Sequence, residues 1–303
     1  MNVFKNLNPQ LSAAIKKVFT EKYGEKIQLR SFQTLGGGSI HHASKIETSA
    51  GNFFLKWNTL GHATIFEKEA DGLIFLRKSA GDMLKIPEVI AFKNLDETPG
   101  FLLLEYLDNS VRVADSDEKL GRGLARIHQF SENAFGFYSN NYCGATLQNN
   151  NWCKSWVEFY RENRLRFLLQ QIKRERIFPA EEEVLFERLL EKLHCFLPEQ
   201  TTPALIHGDL WSGNYMHTIH GPALIDPAAS FSDREMEFGM ISLFGGFSAQ
   251  FFDAYNEFYP LDAGWKQRNA LYQLYHILNH YLLFGGSYLS QAKHIAERYL
   301  QKP

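Results

Sequence analysis

Apolar positions along this chain follow two different rules. Between residues 27 and 105 they come in short runs rich in β-branched and aromatic residues, at 27–35, 40–48, 52–58, 88–92 and 101–105. Gly36-Gly37-Gly38, Ser49-Ala50-Gly51-Asn52 and a turn over 95–100 separate them, so each run reads as a strand and the first three as antiparallel neighbours. One helix crosses this set over 65–80, where Phe66, Ala70, Leu73 and Ile74 recur on one face. Another opens the chain. Asn8-Pro9 stands before Leu11, Ile15, Val18 and Phe19, and Gly24 follows them. Asn suits a helix cap, Pro suits a first turn, and Gly suits the position just past a helix end.

After Glu105 the period becomes helical, over 117–130, 152–171, 180–196 and from about 235 to the end. Only 204–226 departs from it, with apolar Leu205-Ile206, a loop, and two short strand-like runs at 215–218 and 223–225. The expectation is an α+β protein of two lobes, residues 1–104 forming a small antiparallel sheet lobe and 105–303 a mostly helical one. Chemistry is expected in the non-helical island, because functional groups favour loops held by a rigid scaffold.

Composition narrows the class. With 45% hydrophobic and 22% charged residues over 303 positions, the chain is neither disordered nor fibrous. Its 32 basic and 34 acidic residues leave a formal charge of -2, so no global field draws it to nucleic acid or an anionic membrane. The dense charges of 161–176 and 181–183 alternate in sign around Leu165, Phe167, Leu168, Leu169 and Ile172, as on a solvated helix face rather than a nucleic-acid strip. Apolar stretches such as Phe101-Leu-Leu-Leu104 are far shorter than the ~20 residues of a membrane span. The N-terminus lacks the apolar core of a signal peptide, and three cysteines cannot close a disulfide framework, which points to the cytoplasm. Cys143 and Cys153 have no CxxC or nearby His spacing, so they read as small buried hydrophobes rather than zinc ligands.

The run His207-Gly208-Asp209-Leu210-Trp211-Ser212-Gly213-Asn214 sets a carboxylate and a carboxamide five residues apart on one loop, and Asp226 follows Asn214 by twelve. In kinase-type phosphoryl transfer the Asp of such a D-x4-N loop accepts or orients the attacking hydroxyl. The Asn and a second Asp after a short hairpin hold magnesium on the phosphates. Oxygen donors are what that hard ion needs. His-Gly-Asp alone is a weak signal, since Asp before a turn often caps its own backbone. The upstream sequence supplies a test, because ATP binding calls for a Gly-rich strand turn, a strand lysine and a helix glutamate in that order. Gly36-Gly37-Gly38-Ser39, Lys56 within Phe53-Phe54-Leu55-Lys56-Trp57, and Glu69 meet it.

Each of these has a plain alternative when taken singly: a hairpin turn, an edge-strand charge, a helix surface residue. In order they converge. Glycines let backbone amides approach a triphosphate. Lys56 interrupts an apolar strand, where an ammonium needs partners; phosphates on one side and Glu69 on the other would serve. Asp209, Lys56 and Glu69 are thus the catalytic candidates, Gly36, Gly37, Gly38, Ser39 and Lys56 the nucleotide candidates, and Asn214 and Asp226 the metal candidates. The glycines are not followed by Lys-Ser/Thr at Walker A spacing. Residues 101–107 join the lobes as a hinge, with the backbone of Glu105, Tyr106 and Leu107 expected on the adenine edge, although the apolar side chains there are equally well explained as core.

On these residues, together with Ile225-Asp226-Pro227-Ala228, Asp233-Arg234-Glu235, Phe244-Gly-Gly-Phe-Ser248 and Tyr272-Gln-Leu-Tyr-His-Ile-Leu-Asn-His280, the chain resembles the fructosamine kinase (ketosamine kinase) family. That family lies within the protein-kinase-like fold that also holds aminoglycoside and choline kinases. The resemblance runs nearly end to end. Its branch-specific parts are the Trp-Ser-Gly insertion, Asp-Pro-Ala in place of Asp-Phe-Gly, and the Tyr-Gln-Leu-Tyr helix. It implies ATP- and Mg2+-dependent phosphorylation of the 3-hydroxyl of a 1-amino-1-deoxyketose, a fructosamine or ribulosamine, free or on protein lysines. The phosphoester then breaks down and releases the sugar. Two departures stand out. Glu237-Phe238 replaces the Asp-Leu of relatives, which alters the reach of a contact to the catalytic loop. Ser39 stands where some relatives carry cysteine, so redox control through that position is not expected.

Trp211, Tyr275 and His280 are the candidates for lining the substrate site. Trp211 equally reads as a loop anchor in the helical core, and Tyr272, Tyr275, His276 and His280 as one packed helix face. His207 is expected to fix its loop rather than move a proton, and Asp233, Arg234 and Glu235 to form an ion pair behind the magnesium loop. The rival readings are an aminoglycoside- or choline-type phosphotransferase and a nucleotide-binding pseudokinase. The complete set of five candidate residues argues against the second. An RNA-binding scaffold fails on charge. The expected partners are a small ketoamine or glycated protein lysines, with no nucleic acid and no membrane, the chain acting as a monomer or weak homodimer.

Overall fold

The computed structural model describes residues 7–36, 41–59, 61–94, 99–109 and 112–301. Helix α1 (Pro9–Tyr23) begins where Asn8 Oδ1 accepts the amides of Gln10 and Leu11, and ends at Gly24 with φ 85°. Its Leu11, Ile15 and Phe19 pack on Phe53, Leu55, Phe101 and Leu103 of a five-stranded antiparallel sheet. The strands are β1 (Leu29–Leu35), β2 (His42–Thr48), β3 (Gly51–Asn58), β4 (Val89–Lys93) and β5 (Gly100–Glu105), in the order β1-β2-β3-β5-β4. β5 lies between β3 and β4 because its apolar run is buried from Gly100 to Leu104, whereas β4 is only half-buried and takes an edge. Helix α2 (Ile65–Ala80) crosses between β3 and β4 and has the bounds its periodicity predicts.

The rest of the chain is mostly helical: α3 (Ser116–His128), α4 (Trp156–Phe159), a π-helical turn Tyr160–Arg166, α5 (Phe167–Glu175), α6 (Ala180–Glu191), α7 (Glu235–Phe244), α8 (Ala249–Phe258), α9 (Trp265–Phe284) and α10 (Tyr288–Leu300). The architecture is the two-lobe α+β arrangement read from the sequence, with local differences. The helix expected from 152 starts at Trp156, since Phe135 and Cys153 exchange backbone hydrogen bonds of 2.9 Å and hold that segment extended. Beyond Glu191 the helix tightens into a 3-10 turn at Leu193–Cys195. The long C-terminal stretch is four helices, with breaks at Gly245-Gly246, Pro260 and Gly285-Gly286.

Small antiparallel pairs sit among these helices: β6 (Asn141–Cys143) with β7 (Thr146–Gln148), β8 (Ala204–Ile206) with β11 (Ser230–Ser232), and β9 (Tyr215–Thr218) with β10 (Gly221–Leu224). Residues 83–87 strap the β9–β10 hairpin to the sheet side, since Lys85 N donates to Pro222 O at 2.9 Å and Leu224 N to Lys85 O at 3.0 Å. One apolar cluster runs from Phe66, Leu73, Leu102 and Leu104 to Leu205, Leu210, Leu224 and Phe238, so the parts that flank the cleft share a core. Among the described residues no helix is long and apolar enough to cross a membrane.

Helices α3 and α8 meet so closely that a Cβ on Gly121 would fall 2.3 Å from Phe251 O and 3.0 Å from Tyr255 N. Alanine gains about 1 kcal/mol of helix propensity there but overpacks against backbone. Gly121→Ala is expected to lower stability by up to about 2 kcal/mol net in urea unfolding.

Candidate active site

Lys56 lies on β3, opposite Leu102 of β5, and its side chain is buried. Its Nζ is 2.8 Å from Glu69 Oε1 on α2 and 2.8 Å from Asp226 Oδ1. Burial works against the lysine charge, but the two carboxylates outweigh it and raise its pKa above the ordinary lysine value. Glu69 is pushed up by burial, only partly offset by Lys56. Asp226 follows β10 at φ 57°, the one positive φ outside glycine among the described residues. Few side chains adopt that backbone, and Asp is among those that tolerate it.

The loop 207–214 is held from below. His207 is fully buried; its Nε2 bonds Ile225 O at 2.8 Å and its Nδ1 accepts from Asp209 N at 3.3 Å. Gly208 has φ 83°, and a Cβ there would sit 2.2 Å from Ala228 O, so the turn admits no side chain. Glu237 on α7 accepts both loop amides, His207 N and, at 3.0 Å, Gly208 N. The longer Glu therefore reaches the catalytic loop. Its pKa is lowered, because hydrogen bonds and the neighbouring His128 and His207 outweigh its burial. A Gln at 237 would keep an acceptor for one of these N–H groups and turn its amide donor toward the other. Glu237→Gln is expected to cost about 1–3 kcal/mol in urea unfolding, with a parallel fall in kcat, as a buried donor is left unmatched.

Asp209 projects from this loop into the cleft. Asn214 Nδ2 donates to Asp209 O at 2.8 Å and to Asp209 Oδ2 at 3.2 Å, which leaves the Asn214 Oδ1 oxygen for another partner. Burial, with the negative charges of Asp226 and Glu237, pushes the Asp209 carboxyl up to about 8. A cation placed at Asp226 would relieve part of that repulsion.

A cavity of about 450 Å³ opens over these groups. It is lined by Gly36, Lys56, Glu69, Asp209, Trp211, Asn214 and Asp226, so members of the sequence-predicted set separated by up to 190 positions face one space. Gly37, Gly38 and Ser39 lie outside the described residues. The hinge differs in detail from expectation. The Glu105 side chain leaves the cleft for Lys85 at 2.7 Å, and the N–H groups of Glu105 and Tyr106 are committed to Glu88 O and Asn52 O. The side chains of Glu105, Tyr106 and Leu107 do not line the cavity.

Trp211 is 38% exposed and lines the cavity, its ring lying across Gly213 and 6.1 Å from Phe244; it is not a core anchor. His280 extends the same aromatic wall, 5.0 Å from Phe244, but lies outside the cavity. Tyr275 is a correction. It is buried on α9 among Tyr160, Arg164 and Cys143 and does not reach the cavity, because the packed face of the helix takes it inward. The expected Asp233-Arg234-Glu235 ion pair is also corrected. Glu235 pairs with Arg268 at 2.6 Å, Arg234 donates to Tyr259 O at 2.8 Å, and Asp233 accepts Tyr272 Oη at 2.8 Å.

The sequence reading missed His41, Asn141, Tyr142 and Gly144, which complete the cavity wall. The last three come from the β6–β7 hairpin, in a segment rich in Ser and Asn that carries no strand periodicity. Asn141 is locked there by donating to Ala229 O at 2.8 Å and accepting from Asn150 Nδ2 at 2.8 Å.

A sheet lobe carrying a paired lysine, set over a helical lobe carrying D-x4-N and a hairpin Asp, defines a kinase of the protein-kinase-like class. An aminoglycoside phosphotransferase crystal structure shares that fold at TM-score 0.63, covering 95% of this chain and 100% of its own with 16% identity. The chain belongs to the fructosamine kinase family, whose sequence model matches residues 11–302. It is 34% identical to a Vibrio cholerae protein described as a probable ketoamine kinase, over 95% of this chain and 98% of the relative. It is 36% identical to a chloroplastic protein-ribulosamine 3-kinase of Oryza sativa subsp. indica, over 92% and 81%. A Thermobifida fusca crystal structure, described as a candidate fructosamine-3-kinase, superposes at TM-score 0.84 with 29% identity over 95% of this chain and 99% of its own. Kinases of this family use ATP.

Proposed function

We propose that the protein transfers the γ-phosphoryl group of ATP to the 3-hydroxyl of a ketosamine, a fructosamine or ribulosamine, either free or carried on a protein lysine. What supports this most is the convergence of Lys56, Glu69, Asp209, Asn214 and Asp226 on one cavity in a chain of this family. In this reading residues 1–104 form the ATP-binding lobe and 105–303 the helical lobe that carries the catalytic loop 207–214 and the metal-binding Asp226. Lys56, steadied by Glu69, meets the α and β phosphates, and the backbone at Gly36 borders them. The hinge N–H open to the adenine edge is that of Leu107, since those of Glu105 and Tyr106 are taken.

Asn214 Oδ1 and the Asp226 carboxylate are hard oxygen donors lining the cleft, which fits Mg2+. Bound there, the ion would neutralise charge on the phosphates. Asp209 accepts the hydrogen bond, and then the proton, of the acceptor hydroxyl and aligns that oxygen on phosphorus. Trp211, backed by the tilted ring of Phe244 with His280 beyond it, offers an aromatic face for the sugar ring or its amine substituent.

The test is ADP release with Mg2+-ATP and a panel of fructosyl-lysine, ribulosyl-lysine, an aminoglycoside and choline. Turnover with one or both ketosamines is expected. Turnover with choline or the aminoglycoside alone would overturn the acceptor assignment, and turnover with none would favour a nucleotide-binding pseudokinase.

A further inference from the structure

Asp209 of the cleft meets two buried donors, Cys143 and His276, that the phosphoryl-transfer chemistry does not use. A ring nitrogen of His276, Cys143 Sγ and a carboxylate oxygen of Asp209 all lie within 4.8 Å of one another. They come from three separate places: α9, the β6–β7 hairpin and the catalytic loop. Cys143 is 2% exposed and His276 1%, and His276 Nδ1 is a buried nitrogen with no hydrogen-bond partner. Among the described residues the polar side chain bonded to the thiol is Asn279, whose Nδ2 is 3.4 Å from Sγ. A fully buried imidazole with an idle nitrogen is costly unless something binds it.

We propose that Cys143, His276 and Asp209 form a site for a soft divalent cation of the Zn2+ type, and that its occupation switches the kinase off. The donor set is thiolate, imidazole and carboxylate, which suits Zn2+ and not Mg2+, whose preference is for oxygen. A tetrahedral zinc ion with bonds of about 2.0–2.3 Å needs its ligands to close by roughly 1 Å from the separation seen here. Binding releases to solvent the thiol proton of Cys143 and the carboxyl proton that Asp209 holds near neutral pH, and leaves the fourth position to water on the cavity side, where Asp209 lies. The Asp209 carboxylate then donates to the metal the electrons it would otherwise offer to an acceptor hydroxyl. This inhibitory step rests on the role given to Asp209 above; the binding step does not.

The test uses the full chain carrying Cys153→Ser and Cys195→Ser, which removes the other two thiols. One equivalent of Zn2+ is expected to bind in competition with a chromophoric indicator, and Co2+ to produce a near-ultraviolet thiolate-to-metal absorption band. Adding Cys143→Ser should abolish the band and weaken Zn2+ binding by about tenfold or more. His276→Gln should weaken binding similarly while keeping the thiolate band at higher Co2+, which preserves the test if Cys143→Ser does not fold. Zn2+ should inhibit ADP release competitively with the acceptor. Absence of stoichiometric binding, or a band that survives Cys143→Ser, would overturn the site and leave the role of Asp209 standing. Cys143-dependent binding without inhibition would overturn the switch, since Asp209 is then not held by the metal; its role toward the acceptor hydroxyl is decided separately by Asp209→Asn.

Discussion

Asp209→Asn is expected to bind Mg2+-ATP as the native chain does and to lose ~10²–10⁴-fold in kcat, the range for a removed general base. The substitution is nearly isosteric. An asparagine Oδ1 can still accept from Asn214 Nδ2, now 3.2 Å from the carboxylate, and the loop is held independently through Glu237 and His207. What disappears is the charge that draws the proton from the acceptor hydroxyl. That charge is itself disfavoured in the fold, because burial together with Asp226 and Glu237 pushes the carboxyl up to about 8. A raised carboxyl pKa means that the folded state holds the proton more tightly than the unfolded one. Stability is therefore lost as pH rises from the ordinary carboxyl range through about 8. In the absence of divalent cation, Asp209→Asn should then melt no lower than the native chain at pH 7 and higher at pH 9. ADP release, nucleotide titration and thermal melts at both pH values check the three parts. Near-native turnover by the variant would remove Asp209 from its assigned role.

The pattern of the chain exposed the fold where local signals agree with the tertiary result. α1 is bounded by Asn8, Pro9 and Gly24, each with a local mechanical reason, and α2 by a clean helical face. The five strands were legible because Gly-rich turns divide them. The order β3-β5-β4 was not, since neighbour choice depends on which run the core covers. The start of α4 was hidden for a similar reason. The bonds that hold 152–155 extended come from Phe135, about twenty residues away, and periodicity within a window does not register them.

The cleft divides in the same way. That Lys56, Glu69, Asp209, Asn214 and Asp226 would share one cavity was legible because phosphoryl transfer, the chemistry proposed here, calls for these residue types in this order. Tyr275 was misplaced because helical spacing says that residues share a face but not which way the face turns, and on α9 it turns inward. Glu237 could be singled out but not placed, because its reach depends on how α7 packs under the loop. Cys143 shows the limit most plainly. Its sequence neighbours hold no metal-ligand spacing, whereas in space it meets His276, 133 positions away, beside Asp209.

Lys56→Met should separate structure from chemistry where Lys56 meets Glu69 and Asp226. The variant keeps the length and apolar stem of the side chain and removes the ammonium that lies 2.8 Å from both Glu69 and Asp226. With its nucleotide contact gone, kcat/KM for ATP should fall ~10²–10³-fold, as when one preorganised electrostatic group is deleted. Stability should fall as well, by about 3 kcal/mol at neutral pH or above, since Glu69 is left charged and buried without its cation. Burial already pushes the Glu69 pKa up, and loss of Lys56 removes what holds it down. The folded variant thus binds a proton more tightly than the unfolded chain, so its deficit should shrink as pH falls toward 5 and widen as pH rises. Lys56→Met/Glu69→Gln removes the orphaned charge and should recover most of the stability while remaining inactive. Urea unfolding of both variants across pH, with ADP release measured alongside, decides the matter. Recovery of activity with stability would mean that Lys56 acts only by holding α2 against β3, and a single variant as stable as the native chain at every pH would mean that the buried pair contributes nothing to the fold.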